Sequence, residues 1–438
     1  MKMKKLFLLS LAVAGAAASS SAAEFVANGE NGYTKTFGEG YSLELVWGAV
    51  PDGIDYPAVR TGIGVNDKFY LMDHAAGAVK VYGRKGFIKD IKFDGKIWVS
   101  CTVDQAGNVI ARNDKGGWAG PEGAGWYLSE NAGLGVISSE TDEIIKPFIG
   151  IPGAPKARFD ALGAMLGDIL TDDFTALYCP TQGAGNRFEE FSFDHGEYIS
   201  ALPTIITIDP AFTGKANTVQ TLGSGQAVDP ETLALYPNPH LDETGTFHGL
   251  GNGIMLWKYE VTESGEGWVF QNKYFVTPQH APIGGFFVFN VAGEDYIIYP
   301  SAGADVAGDA FAISKVKYTD SPKSNPDADI EVLIARKYAA VKDNGGLMYV
   351  AKAFYYGFNV VPVEGDPNSV LIYSYNAGCP MMVYKFTVPA GGSGVQDVEV
   401  VETSAPAEYF NLQGMRVANP ENGVFIKRQG GKVSKVIK

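Results

Sequence analysis

The sequence predicts an all-β protein, a β-propeller of about six blades followed by a small C-terminal β tail. Three observations predict it. Gly is 54 of 438 residues, with 23 Pro, 22 Tyr and 25 Phe, a composition suited to short strands joined by tight turns. Long stripes of 3.6-residue period are absent; the nearest is Pro155–Leu170, where Gly163 and Gly167 limit any helix to Pro155–Leu162. The third observation is a repeated phrase: a strand with an aromatic, a polar or Gly/Pro-rich turn, and a second strand.

The phrase occurs at Phe69–Tyr82, Trp126–Ser138, Ala176–Phe193, Leu233–Val261, Tyr296–Val316 and Leu371–Val388. With Tyr70, Tyr127, Tyr178, Tyr236, Tyr299 and Tyr373 as markers, the steps are 57, 51, 58, 63 and 74 residues. Similar hairpins at a step near 60 argue for a radial repeat, one sheet of about four strands per unit. The fifth unit is the clearest, with strands expected at Gly284–Val291, Asp295–Tyr299, Phe311–Val316 and Ile330–Ile334. Ring closure leaves only short sheet edges.

Lys2, Lys4 and Lys5, then the apolar run Leu6–Ala18, then Ser21-Ala22-Ala23 make the three parts of a secretory signal peptide over residues 1–23. The mature chain is expected to begin at Glu24 and to be exported to the periplasm, the cell surface or the medium. No later segment has the ~20 consecutive apolar residues of a transmembrane helix. Removing residues 1–23 takes away three Lys and no acid, which moves the charge from −14 to −17. An acidic chain with eight Arg is poorly matched to a phosphate backbone, so nucleic acid is not an expected partner. Cys101, Cys179 and Cys379 are far apart, without zinc spacing; they read as small buried thiols, with one disulfide as the alternative.

Residues 24–390 are assigned to the propeller. Pro389 to Gly394 has a flexible-linker composition, and the linker is placed at 391–407, with a strand allowed over Val395–Thr403. The tail, 408–438, predicts strands at Tyr409–Leu412, Met415–Val417, Val424–Arg428 and Val433–Ile437. Asn411, Leu412, Gly414 and Val417, then Gly423, Val424, Phe425 and Ile426, then Lys432, Lys435 and Lys438 carry a resemblance. The tail resembles the C-terminal segment of many secreted Bacteroidales proteins. That resemblance implies a sorting role of the type IX kind, and it concerns export rather than activity.

Glycan chemistry by hydrolysis needs two carboxylates about 5–10 Å apart. Asp172-Asp173, just before the strand Phe174–Tyr178, suit a blade-top loop, and turn chemistry is the alternative for them. A sialidase-like site would need three Arg converging on a carboxylate, drawn from Arg60, Arg84, Arg112, Arg158, Arg187 and Arg336; the repeated Asp boxes of that family are absent. His240, Asp242, Glu243 and His248 share one long polar loop, and no HExxH, nucleophile elbow or P-loop is present. Asp104, Asn108, Asn113 and Asp114, like Asn325, Asp327 and Asp329, fall short of an EF-hand and read as turns. Trp118, in a Gly/Pro-rich stretch, and Trp268, after Gly265-Glu266-Gly267, are the aromatics set to stack on a sugar face or peptide, against the alternative of packing between blades.

The sequence therefore points to an exported binding protein for a glycan or another extracellular ligand. Trp118, Trp268, Asp172 and Asp173 are its candidate ligand contacts, and no metal or cofactor is called for. The rival readings are a glycan-cleaving hydrolase or lyase with carboxylates at the propeller mouth, and a structural partner in an envelope assembly.

Overall fold

The computed structural model describes residues 33–36, 38–49, 51, 59–114, 132–151, 162–180, 187–199, 202–207, 254–262, 265–274, 287–300, 310–316, 332–337, 357–375, 381–389, 408–410, 416–418, 424–429 and 432–437. The chain divides into two compact units, 1–390 and 391–438. Every regular element among the described residues is a strand.

The first unit opens with β1 (Tyr33–Thr36) and β2 (Ser42–Ala49), which belong to blades completed at the far end of the chain. Blade one is β3 (Val59–Val65), β4 (Lys68–Asp73), β5 (Ala78–Gly83) and β6 (Gly86–Lys92). Blade two is β7 (Lys96–Val103), β8 (Val109–Asp114), β9 (Gly133–Ile137) and β10 (Ile144–Gly150). Blade three is β11 (Met165–Leu166), β12 (Thr175–Pro180) and β13 (Arg187–Asp194), edged by β14 (Glu197–Tyr198) and β15 (Thr204–Thr207), both paired to β13. β16 (Ile254–Thr262) and β17 (Gly265–Tyr274) form a separate hairpin. Blade four is β18 (Phe287–Val291), β19 (Glu294–Pro300), β20 (Ala310–Lys315) and β21 (Val332–Lys337), with β1 added outside β21. Blade five is β22 (Gly357–Val363), β23 (Asp366–Tyr375) and β24 (Met381–Thr387), with β2 as its outer strand.

Among the described residues this is a β-propeller arrangement of five up-and-down blades, where the sequence predicts about six. Of the phrase Leu233–Val261, only the part within β16 is described, and β16–β17 pair with no further strand among the described residues. The other phrases fall on middle strands: β4–β5, β12–β13, β19–β20 and β23–β24, with β9 closing the second. Middle strands are buried on both faces. In β4, Tyr70 and Met72 pack toward blade two and Phe69 and Leu71 toward blade five. In β23, Val370 and Ile372 face blade four while Tyr373 and Tyr375 face blade one. Side-chain alternation along a strand thus fills two interfaces at once, so these strands read as continuous apolar runs. Apolar clusters join blade four to five, five to one, one to two and two to three.

The expected strands of the fourth blade and of the tail match closely. The tail holds β25 (Glu408–Phe410), β26 (Arg416–Val417), β27 (Val424–Gln429) and β28 (Lys432–Ile437) in one antiparallel sheet. The expected short helix at Pro155–Leu162 and the strand at Val395–Thr403 lie outside the described residues, save for Leu162. Cys101 and Cys179 are free; Cys179 is buried, as the buried-thiol reading expects, and Cys101 is half-buried, and burial raises both thiols, that of Cys101 to about 12.

Closure by β2 is energetically specific. Leu45 stands opposite Tyr384 and Trp47 opposite Val383; Trp47 is only 9% exposed and its Nε1 donates to Asp67 Oδ1 at 2.7 Å. Trp47→Ala should cost about 3–5 kcal/mol, the range for emptying a large buried aromatic site. A chain lacking residues 24–49 should lose its cooperative unfolding transition, read by circular dichroism in urea. A sharp transition near the native midpoint in the shortened chain would show that blade five closes without β2.

Candidate functional site

An up-and-down blade has two unlike ends. At one, the first strand turns into the second and the third into the fourth. These turns are Asn66-Asp67, Arg84-Lys85, 104–108, 138–143, 167–174, His195-Gly196, Ala292-Gly293 and Glu364-Gly365, with 316–331 as the long exception. Asn66 (φ 51), Asp67 (φ 59), His195 (φ 47) and Ala292 (φ 53) take the left-handed conformation that two-residue hairpins require. Carboxylates knit this end together. Asp67 accepts from Trp47 Nε1 and from Arg84 Nε at 2.7 Å, and its backbone N–H donates to Tyr373 OH at 3.0 Å. Asp142 accepts from Lys68 Nζ at 2.6 Å and Tyr70 OH at 2.5 Å, joining blade two to blade one.

Strand ends at the other end are joined through 50–58, 115–132, 151–164, 181–186, 301–309, 338–356 and 376–380, most of whose residues lie outside the described ones, and through two short turns, 74–77 and 93–95. Long connections set on a rigid scaffold are where binding groups concentrate. Beneath this end, between blades two and three, lies a buried charged layer. In β8, Ile110, Arg112 and Asp114 share the face turned to blade three. Arg112 and Asp114 are 0% and 1% exposed, with Nε–Oδ1 at 3.1 Å and Nη2–Oδ2 at 2.6 Å. Burial raises the Asp114 carboxyl against the opposing pull of Arg112 and the Gly133 N–H. From blade three, Glu189, opposite Cys179 in the sheet, is 1% exposed. Burial holds the Cys179 thiol well above its ordinary range; the Glu189 charge raises it further and Arg112 opposes, so Cys179 is an inert thiol.

Arg112 was weighed in the sequence only as one of six Arg for a carboxylate trio, and Asn113 and Asp114 as turn residues. All three lie in strand β8. The signal available was two opposite charges two apart in an apolar strand, which places both on one buried face. Asp104 and Asn108 do form a turn: Asn108 N and Nδ2 donate to Asp104 at 2.7 and 2.9 Å.

The four predicted contacts do not come together among the described residues. Trp118 lies outside them; its connection, 115–132, leaves β8 and enters β9 at the long-connection end. Trp268 is in β17 rather than in a turn, in register with Tyr259. Asp172 and Asp173 lie at the opposite, tight-turn end. Asp172 accepts the Asp168 N–H at 2.8 Å, and its carbonyl accepts the His195 N–H at 3.1 Å, which is turn chemistry. Asp173 has a fully solvated side chain, 3.8 Å from His195 Nε2. Asp173, Asp194 and His195 place their potential ligand atoms within 4.8 Å of one another, all exposed. The hydrogen bond that His195 donates to Asp194 raises His195 above its ordinary value, aided by the Asp194, Asp173 and Asp172 charges. The loop of His240, Asp242, Glu243 and His248 and the Asn325–Asp329 segment are outside the described residues. No helix among the described residues is long and apolar enough to cross a membrane.

No protein-family model matches the sequence, and no curated protein does. Among solved structures the chain is similar to virginiamycin B lyase from Staphylococcus aureus at 16% identity, covering 78% of this chain and 83% of that one, with a TM-score of 0.36. It is similar to a streptogramin B lyase at 15% identity, covering 82% and 98%, with a TM-score of 0.37. It is similar to a gluconolactonase from Xanthomonas campestris at 9% identity, covering 85% and 99%, with a TM-score of 0.41.

Proposed function

We propose that the protein is exported and binds an extracellular ligand, a glycan, at the end of the propeller that carries the long connections. The observation behind this reading is the inequality of the two blade ends. One is closed mainly by short turns, where Asp67 and Asp142 bond to neighbouring blades; at the other, strands are joined through longer stretches of sequence, one of which, between β8 and β9, holds Trp118. An indole offers a flat apolar face to a sugar ring at low entropic cost. Asp172 and Asp173 are not carried into this site.

Binding is favoured over cleavage by what the buried acids do. Hydrolysis needs two carboxylates facing a common substrate. Asp114, at this end, is completely buried and engaged by Arg112. The tail, on its resemblance, serves delivery to the cell surface rather than ligand contact.

The test is a glycan-array screen on the mature chain from Glu24, with the same glycans incubated and read by mass spectrometry. Binding without new products is expected, and Trp118→Ala or Trp268→Ala should weaken it at least about ten-fold, as loss of an aromatic anchor does. Cleaved products would overturn the reading in favour of a hydrolase or lyase. No binding on any glycan would overturn the choice of ligand and point to a protein partner in the envelope.

A further inference from the structure

Blade three closes the tight-turn end with two turns that lie side by side. The first, 167–174, joins β11 to β12; the second, His195-Gly196, joins β13 to β14. Thr175 stands opposite Phe193, so Asp173 and the Asp194-His195 pair flank the same end of one strand pair. Backbone bonds hold both turns in place. Asp168 O accepts Asp172 N at 3.1 Å, the Asp172 side chain accepts Asp168 N at 2.8 Å, and Asp172 O accepts His195 N at 3.1 Å. The last of these joins the two turns and sets the neighbouring side chains of Asp173 and His195 beside each other. His195 donates from Nδ1 to Asp194 Oδ1, and its Nε2 lies 3.8 Å from Asp173 Oδ1. One ligand atom each from Asp173, Asp194 and His195 can be chosen so that all three lie within 4.8 Å of one another. Asp168 and Asp172 are engaged by N–H groups of their own turn. Asp173 differs: its side chain is 98% exposed, and His195 is its charged partner among the described residues.

We propose that Asp173, Asp194 and His195 bind one zinc ion at the tight-turn end of blade three, the ion taking the place of the hydrogen between His195 and Asp194. Zinc bonds imidazole nitrogen and carboxylate oxygen at about 2.0–2.2 Å, so two such ligands on one ion stand at most about 4.2 Å apart. The 3.8 Å between His195 and Asp173 already meets that limit. The exposed side chains of the cluster are free to rotate and close the rest. Two carboxylates balance the charge of a divalent ion. The imidazole selects a borderline transition metal over Ca²⁺ and Mg²⁺, which take oxygen ligands in larger number or stricter geometry. Three protein ligands leave the fourth tetrahedral position to water or to a donor group of an incoming molecule. The ion cross-links the two turns of one blade. It lies at the end opposite the one proposed for the glycan, so the two readings stand or fall separately.

Calorimetric titration of the untagged mature chain from Glu24 with Zn²⁺ tests the site. Saturable binding is expected. His195→Asn, an exchange that a left-handed turn position tolerates, should weaken it at least about ten-fold, and so should Asp173→Asn and Asp194→Asn. The double variant His240→Ala with His248→Ala should keep the binding, which separates it from the polar loop that holds those residues. The His195 ring resonances should shift on adding Zn²⁺ and stay in place on adding Ca²⁺ or Mg²⁺. Circular dichroism checks that each variant is folded. Absence of Zn²⁺ binding, binding that His195→Asn leaves unchanged, or binding lost only in the His240/His248 double variant would overturn the proposal.

Discussion

Replacing Arg112 with alanine is expected to destabilise the first unit by about 3–5 kcal/mol, the cost of leaving a buried carboxylate without its partner. Asp114 is 1% exposed and takes both Nε and Nη2 of Arg112, so no water is at hand to replace the guanidinium. The destabilisation should depend on pH with a definite sign. Burial already raises Asp114, and without Arg112 it would rise further. The folded variant would then bind a proton that the unfolded chain releases, and stability would be lost as pH rises. Urea unfolding should therefore show Arg112→Ala closer to the native protein at pH 5 than at pH 7.5. The double variant Arg112→Met with Asp114→Asn removes both charges and keeps an acceptor for the Gly133 N–H, so it should recover most of the loss. A single variant within about 1 kcal/mol of native at pH 7.5 would show that Asp114 finds other solvation.

The junction between blades five and one gives the second large effect. A Cβ built on Gly357 would stand 1.6 Å from Gly62 O and 2.8 Å from Gly62 C. These are backbone atoms of β3, so no side chain can rotate away. Gly357→Ala should cost at least about 3 kcal/mol, the upper range for overpacking, because the two inner strands must separate. Separation would also strain the bond from Asn359 Nδ2 to Gly64 O, 2.8 Å long and buried. Gly365→Ala is the control: its φ is +74 but nothing lies within 4 Å, so only backbone strain of about 1–2 kcal/mol is expected. Equal losses in the two variants, measured by urea denaturation, would refute a steric origin for the first.

What the sequence shows of this fold follows from burial. β4, β12, β19 and β23 are packed on both faces and carry the aromatic phrase that sets the repeat. Outer strands do not. β6 reads GFIKDIK, with Phe87 and Ile88 half-exposed and Ile91 buried, a pattern that a turn-rich stretch shares. β1 and β2 were invisible for another reason: their partners, β21 and β24, lie at the other end of the chain, and no local pattern announces a pairing of that span. The sixth expected unit, of which the described residues show a hairpin, has the same root, since an aromatic beside a turn signals a hairpin and not the sheet around it. Trp268 shows this directly: the residue after Gly265-Glu266-Gly267 stands in a strand of the β16–β17 hairpin. Arg112 was legible as a residue but not as a role, because its meaning depends on a strand face and on Glu189 and Cys179 from another blade.

The closure by β1 and β2 bears on how the chain reaches its folded state. The outer strands of blades four and five are synthesised first, and their partners come last: Trp47 waits for Val383, and Tyr33 for Lys337. Blades one and two can assemble from neighbouring hairpins as they appear, whereas Trp47, which reaches blade one through Phe69 and Asp67, has no sheet to join until β24 exists. Pairings of such long sequence separation are slow to form, because loop-closure entropy is lost before contacts repay it. The early strands therefore stay available until β21 and β24 are made, and the last strands of the unit decide when its first strands find their sheets.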